Sequence, residues 1–327
     1  MTDQGCAILL YHRVNRLRGD PFGLAVRPNR FRAQLDVLRD RFRVVPLAEL
    51  HAMLAAGEPA PGTLAISFDD GYADNVSALA ECASRGLPAT LFMTTGLLDG
   101  RREQWWNELE RLLLTTGRLP ASLEVEAGGS RRFDLGADAR LGFRAWWRHR
   151  NWRAWHEPPT ARHHAYVELW KILHALPADE RDAALRELAA DVDADESGRP
   201  SHRMLRRDEL LRIAALPGLE IGAHTVSHVS LAQVPVEEQR EEIERCKGDL
   251  ETLLQRDVVS FSYPFGSRDD FDDTTVELVR KAGFARACTN DGCALRPQPD
   301  PFALPRTAVM DWDGAIFSAR LDAVLAG

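Results

Sequence analysis

No stretch of this chain is apolar for long enough to cross a bilayer, which takes about 20 residues. The opening residues, Met1 to Leu10, lack the positive flank and long apolar core of a secretory leader, so a cytoplasmic protein is expected. Positive charge is scarce. Lys and Arg number 41 against 49 Asp and Glu, a net charge of -8, which leaves no excess cation to neutralise phosphates and argues against a general nucleic-acid binder. The five cysteines (Cys6, Cys82, Cys246, Cys288, Cys293) are odd in number and lack C-x-x-C spacing, so reduced, partly buried thiols without structural disulfides are expected. There is no internal repeat and no low-complexity tract. What remains is ordinary for a soluble globular protein: 327 residues, 45% apolar and 28% charged, enough for one large α/β domain or two smaller ones.

The chain is organised around residues 65–72, Ala-Ile-Ser-Phe-Asp-Asp-Gly-Tyr. Thr63 to Phe68 reads as a buried strand that runs into two adjacent carboxylates and a glycine. In an α/β sheet, functional groups collect at the carboxyl ends of strands. Two neighbouring aspartates there repel. A cation held by one compensates and leaves the other free as a base.

The alternation around this stretch predicts a parallel sheet with crossover helices. Expected strands are Cys6–Tyr11, Phe42–Val45, Thr63–Phe68, Ala89–Met93, Leu219–Ala223, Val258–Phe261 and Phe284–Cys288. Expected helices are Arg30–Arg41, Pro46–Leu54, a helix capped by Asp74 or Asn75, Arg207–Ala215, Val236–Gln255, Asp273–Ala282 and Gly314–Leu325. Pro297 to Pro305 reads as a proline-rich loop. Between about Asp99 and Arg207 the rhythm changes to helical patterns at Trp105–Leu114, Ala139–Trp155, Ala161–Leu176 and Ala178–Val192, with a loop or small hairpin at Glu124–Asp134. The expected organisation is therefore an α/β domain over 1–98 and 207–327, interrupted by a helical insertion over 99–206.

His224 and His228 are four residues apart after a strand end. On a helical turn, positions i and i+4 share a face, so both imidazoles can reach one ion. With Asp69 or Asp70 they form a two-histidine, one-carboxylate set, which leaves a position open as catalytic metal sites do. His149, His163, His164 and His174 have no carboxylate at ligand spacing and are read as non-metal.

Residues 67–71 (Ser-Phe-Asp-Asp-Gly), 224–228 (His-Thr-Val-Ser-His) and 263–266 (Tyr-Pro-Phe-Gly) together resemble the first three motifs of the polysaccharide deacetylase family, the NodB-homology group also called carbohydrate esterase family four. Residues 11–14, Tyr-His-Arg-Val, resemble the Y-H-x-V signature of one branch. The resemblance implies a deformed (β/α) barrel and a divalent metal, zinc first, with cobalt or nickel as alternatives. It implies Asp70, His224 and His228 as metal ligands, Asp69 as general base and the backbone N–H of Phe265 as donor to the oxyanion. The sequence departs from the family pattern twice. Ser262 stands where the third motif often begins with Arg, and the histidine of the fifth motif is missing, with residues 304–306 (Leu-Pro-Arg) in its region. Arg306 is expected to orient Asp69 instead, and His12 to donate the proton to the leaving amine. Tyr72 and Tyr263 are candidates to line the substrate pocket.

The implied activity is metal-dependent hydrolysis of an N-acyl group, acetyl first, from an amino sugar in a glycan, lipid-linked or nucleotide-linked precursor. N-deformylation or hydrolysis of another non-peptide C–N bond is the near alternative, and an inactive glycan-binding protein the distant one. A non-heme iron oxygenase also uses two histidines and a carboxylate, but with a different ligand order. Seven of the eight tryptophans lie in the insertion, interleaved with arginine over 144–155. Three readings compete for them: core packing, a sugar- or phosphate-binding wall, and docking to a membrane interface that carries a lipid-linked substrate.

Overall fold

The computed structural model describes residues 5–326 except 59–60, 99–101, 193, 195–197, 293–294 and 296. Cys293, Asp99 and the first four residues, which the sequence reading used, lie outside the described residues. The chain divides into two compact units. One comprises Met1–Arg16, Leu24–Leu98 and Leu205–Gly327; the other comprises Leu17–Gly23 and Asp99–Met204.

The first unit is built on one parallel sheet of eight strands: β1 (Ala7–Tyr11), β2 (Arg43–Val44), β3 (Thr63–Phe68), β4 (Ala89–Met93), β5 (Leu219–Ala223), β6 (Ser260–Ser262), β7 (Arg286–Cys288) and β8 (Arg306–Ala308). Their order is β7-β6-β5-β4-β3-β1-β8, with β2 also on β3. A parallel bridge from Cys288 to Leu304, just before β8, brings the two ends together into a nearly closed barrel. Strands β1, β3 and β4 are buried at every residue, which is why they read as unbroken apolar runs.

The pairing sets the site. Leu10 lies opposite Ser67 and Tyr11 opposite Phe68, while Met93 lies opposite Ala223. Because all strands run the same way, His12, Asp69 and His224 leave β1, β3 and β5 on one edge of the barrel. Two hydrogen bonds extend the ladders past the strand ends, Asp69 N–H to the Tyr11 carbonyl and His224 N–H to the Met93 carbonyl, both at 3.0 Å.

β8 corrects the sequence reading, which ended a loop at Pro305. Arg-Thr-Ala has no apolar pattern of its own. It is a strand because it pairs with β1, Ile8 opposite Arg306 through Leu10 opposite Ala308. β6 and β7 are shorter than expected, and four cysteines (Cys6, Cys82, Cys246, Cys288) are buried.

The second unit holds helices Trp105–Glu110, Phe143–Asn151, Ala161–His174 and Ala178–Asp191, with the first passing into a wider π turn over Arg111–Thr115. Ser122–Glu126 and Ser130–Asp134 pair antiparallel around Gly128 and Gly129, whose positive φ angles of 58° and 114° make the turn. Leu17–Gly23 falls in this unit, although the sequence reading kept it with the barrel. Phe22 packs against Tyr166 and Trp170, and Ala154 N–H bonds the Pro21 carbonyl. Trp105, Trp106 and Trp152 are buried in its core.

Candidate metal centre

Asp70 sits at φ 73° and is followed by Gly71 at φ 82°. A side chain on Gly71 would run into Met93, its Cβ falling 2.2 Å from the sulfur, so only glycine allows the turn that swings Asp70 over the barrel edge. Six described non-glycine residues have positive φ. Four of them, Asp70, Thr225, His228 and Phe265, surround this edge, the kind of clustering expected where backbone is held for function.

His224 and His228 converge, but not on a helical turn as the spacing suggested. Residues 224–228 form a loop in which Thr225 (φ 63°) and His228 (φ 53°) are left-handed. The loop is held from below by Glu242, a buried carboxylate on the helix Val236–Leu254. One of its oxygens accepts from the backbone N–H groups of Val226 and Ser227, both at 2.8 Å. The Thr225 hydroxyl accepts from the His228 N–H at 3.0 Å. Nothing in the motif itself reveals this support. The signal lay in the helix, where Glu242 falls on the stripe Gln239, Ile243, Cys246, Leu250 that faces inward.

The two imidazole Nε2 atoms lie 3.5 Å (His224) and 3.3 Å (His228) from the same oxygen of Asp70. One ligand atom from each of the three residues lies within 4.8 Å of the others, and all three side chains are buried. His224 Nδ1 is 2.7 Å from the Ser262 carbonyl, which can only accept, so Nδ1 carries the hydrogen and Nε2 presents a lone pair. Neither oxygen of Asp70 receives a hydrogen bond. A buried carboxylate that receives no hydrogen bond, facing the His224 lone pair with His228 beside it, calls for a cation, and this donor set suits zinc or a similar divalent ion.

Asp69 is treated differently. Arg306 grips it bidentately, Nη1 to Oδ1 and Nη2 to Oδ2, each at 2.7 Å. The Ser262 hydroxyl donates to Oδ2 at 3.1 Å and accepts from Arg306 Nη2 at 2.8 Å. Arg306 is itself fixed by donating from Nε to the Thr289 carbonyl at 3.0 Å. Burial raises the Asp69 carboxyl, but the guanidinium and then His224 more than offset it, so Asp69 is held as a carboxylate. Thus an Arg from β8, with Ser262 from β6, meets the carboxylate that the third-motif Arg was expected to meet.

His12 is half-buried at the end of β1, close enough to both aspartates that its charge, when protonated, lowers their pKa values. Its carbonyl accepts from Asn75 Nδ2 at 2.8 Å. Asp74 does not cap the helix with its side chain. It accepts instead from Arg13 Nη2 at 2.8 Å, from the Val14 N–H at 3.0 Å and from Asn15 at 3.1 Å. Residues 74 and 75 thus fasten the segment that carries His12. Phe265 lies in the loop after β6, its ring edge-on to His228 at 4.6 Å.

Two substrate contacts need correction. Tyr72 is buried under the Arg13 guanidinium, 4.2 Å from its ring centre. Tyr263 is buried against Phe271, and its hydroxyl bonds the Phe302 carbonyl. Both rings serve packing and offer no surface to a substrate arriving from solvent.

Residues 191–287 match the family model described as polysaccharide deacetylase. That segment, under a third of the chain, is similar to a polysaccharide deacetylase domain. The match takes in both histidines and the Ser262–Phe265 loop, while Asp69 and Asp70 lie outside it and join them through the fold. Over 124 residues the chain is 23% identical to YxkH of Bacillus subtilis, a candidate polysaccharide deacetylase; the aligned stretch is 38% of this chain and 43% of that protein, less than half the relative's length. Its fold is similar to that of Streptococcus pyogenes deacetylase PplD in complex with acetate, with a TM-score of 0.60 and 16% identity over 99% of both chains. It is also similar to IcaB from Ammonifex degensii, with a TM-score of 0.58 and 19% identity over 98% of this chain and 97% of that one.

Proposed function

We propose that this protein is a metal-dependent hydrolase that cleaves the amide bond of an N-acylated amino sugar, removing acetyl. What supports the reading is the pairing of three converging, buried ligand side chains with a second carboxylate clamped beside them. A divalent ion held by Asp70, His224 and His228 supplies Lewis acidity toward the acyl carbonyl and toward water when bound. Asp69 takes a proton from the attacking water, and the Arg306 grip keeps it ionised and aimed for that task. The Phe265 backbone N–H donates to the oxyanion as the carbonyl carbon becomes tetrahedral. His12 protonates the departing nitrogen, so the C–N bond breaks to give the free amine and a carboxylate. The Streptococcus relative was solved with acetate, which is the product this reaction gives from an N-acetyl group.

The sugar is proposed to be part of a glycan or of a lipid- or nucleotide-linked precursor. Amine release from N-acetyl and N-formyl amino sugars in these forms tests the reading. The assay uses zinc-, cobalt- and nickel-loaded protein without oxygen. Release from an N-acetyl sugar supports acetyl removal, faster release of formate would move the assignment to N-deformylation, and a metal-loaded protein inert on every substrate would overturn the hydrolase.

A further inference from the structure

The second unit carries a surface that the proposed reaction does not use. The three most exposed large apolar side chains of the described residues all lie in one short segment: Phe143 at 77%, Trp147 at 55% and Trp155 at 59%. Phe143 and Trp147 stand four residues apart on the helix Phe143–Asn151 and therefore share a face. Other residues of the segment anchor it. His149 is buried with its Nε2 2.8 Å from Glu110 Oε1, and the Trp152 ring packs edge-on against His163 at 4.6 Å. Phe143 and Trp147 are thus held out by an anchored helix, and Trp155 lies in the turn that follows it.

Charge on the segment is equally one-sided. Residues 139–156 contain five arginines and no Asp or Glu, in a chain whose net charge is -8. Elsewhere arginines are widely paired with carboxylates, as in Arg27 with Asp311, Arg32 with Glu81 and Arg102 with Asp182. Among the described residues, no carboxylate lies within ion-pair distance of Arg140, Arg148, Arg150 or Arg153. Arg148 and Arg150 are exposed on the same helix as Trp147.

We propose that this face docks on an anionic phospholipid bilayer, with Phe143, Trp147 and Trp155 entering the headgroup region and the arginines meeting lipid phosphates. Exposed aromatics flanked by unpaired cations are what an interfacial helix presents, and aromatic rings with one polar edge settle at that depth. An acidic protein is repelled by an anionic bilayer as a whole, so binding requires a local cationic patch of this kind. The inference stands apart from the chemistry at Asp69 and Asp70 and survives if the substrate is reassigned.

The test is co-sedimentation of the full chain with vesicles of phosphatidylglycerol in phosphatidylcholine, against phosphatidylcholine alone. Binding is expected only to the anionic vesicles, weakening as salt rises. Removing two basic side chains near an anionic surface costs roughly 25-fold in partition, so Arg148→Ala with Arg150→Ala should weaken binding by about that factor. Phe143→Ala with Trp147→Ala should weaken it at least about ten-fold, because buried apolar area is lost. Both pairs lie on the surface, and unchanged thermal unfolding confirms intact protein. Absence of wild-type binding at low salt, binding indifferent to both double variants, or preference for single-stranded nucleic acid over the vesicles would each overturn the proposal.

Discussion

Replacing Arg306 separates the clamp on Asp69 from the metal ligands more cleanly than any other change. Arg306→Ala removes both 2.7 Å bonds to Asp69 and the bond to Ser262 at once. Asp69 is then a carboxylate buried without its cation, and breaking such a pair from one side costs about 3–5 kcal/mol. Burial, the largest influence on Asp69, acts with less opposition and raises its pKa. The sign follows directly. The wild-type pKa lies below the ordinary range, so the base is ionised across neutral pH; in the variant the acid limb of kcat/KM moves to higher pH. Activity at neutral pH should fall by about 10²–10⁴-fold if Asp69 is the base. Arg306→Lys keeps one positive charge but not the two-pronged grip, so it should recover part of the stability and most of the pH profile while remaining slower than wild type. Urea unfolding and pH–rate profiles of both variants, with metal content measured alongside, read these effects. An Arg306→Ala protein with wild-type stability and an unmoved acid limb would refute the reasoning.

Truncating His12 to Ala should slow turnover by about 10²–10⁴-fold with metal content unchanged, and an equal rate on substrates with good and poor leaving amines would remove its role as the acid. The second unit should be acid-labile. Burial raises Glu110, but Arg199 and then His149 outweigh it and bring its pKa to about 2, while burial and then His149 lower that of His163 to about 3. Both folded pKa values are depressed, so this stability is present above the ordinary values of 4.5 and 6.5 and is lost as pH falls through that range toward 2. For buried Glu110 the shift amounts to about 3 kcal/mol at neutral pH. Glu110→Gln should therefore lower stability at pH 7 and flatten its decline toward pH 3, and a decline identical to wild type would count against this account.

Much of the barrel was legible because its strands are buried on both faces, which leaves unbroken apolar runs such as Thr63–Phe68 and Ala89–Met93. β8 was hidden for the opposite reason. Its residues gain strand structure only from β1, and the contact spans nearly the whole chain. The site divides in the same way. Asp70, His224 and His228 could be picked out by type and spacing, yet a spacing of four fits a helical turn and a loop equally well. Left-handed Thr225 and His228 and the distant Glu242 give the actual geometry. Tyr72 and Tyr263 misled because a motif records that a residue is near the chemistry and not which way its ring faces. Asp74 misled because a carboxylate at a helix start also serves a neighbouring guanidinium, here Arg13.

Calorimetric titration of metal-stripped protein with zinc tests the centre most directly. One equivalent should bind to wild type. Binding should be lost or weakened by orders of magnitude in His228→Ala, and Arg306→Ala should retain it. Failure of the wild type to bind, or equal affinity in His228→Ala, would contradict a metal centre at Asp70, His224 and His228.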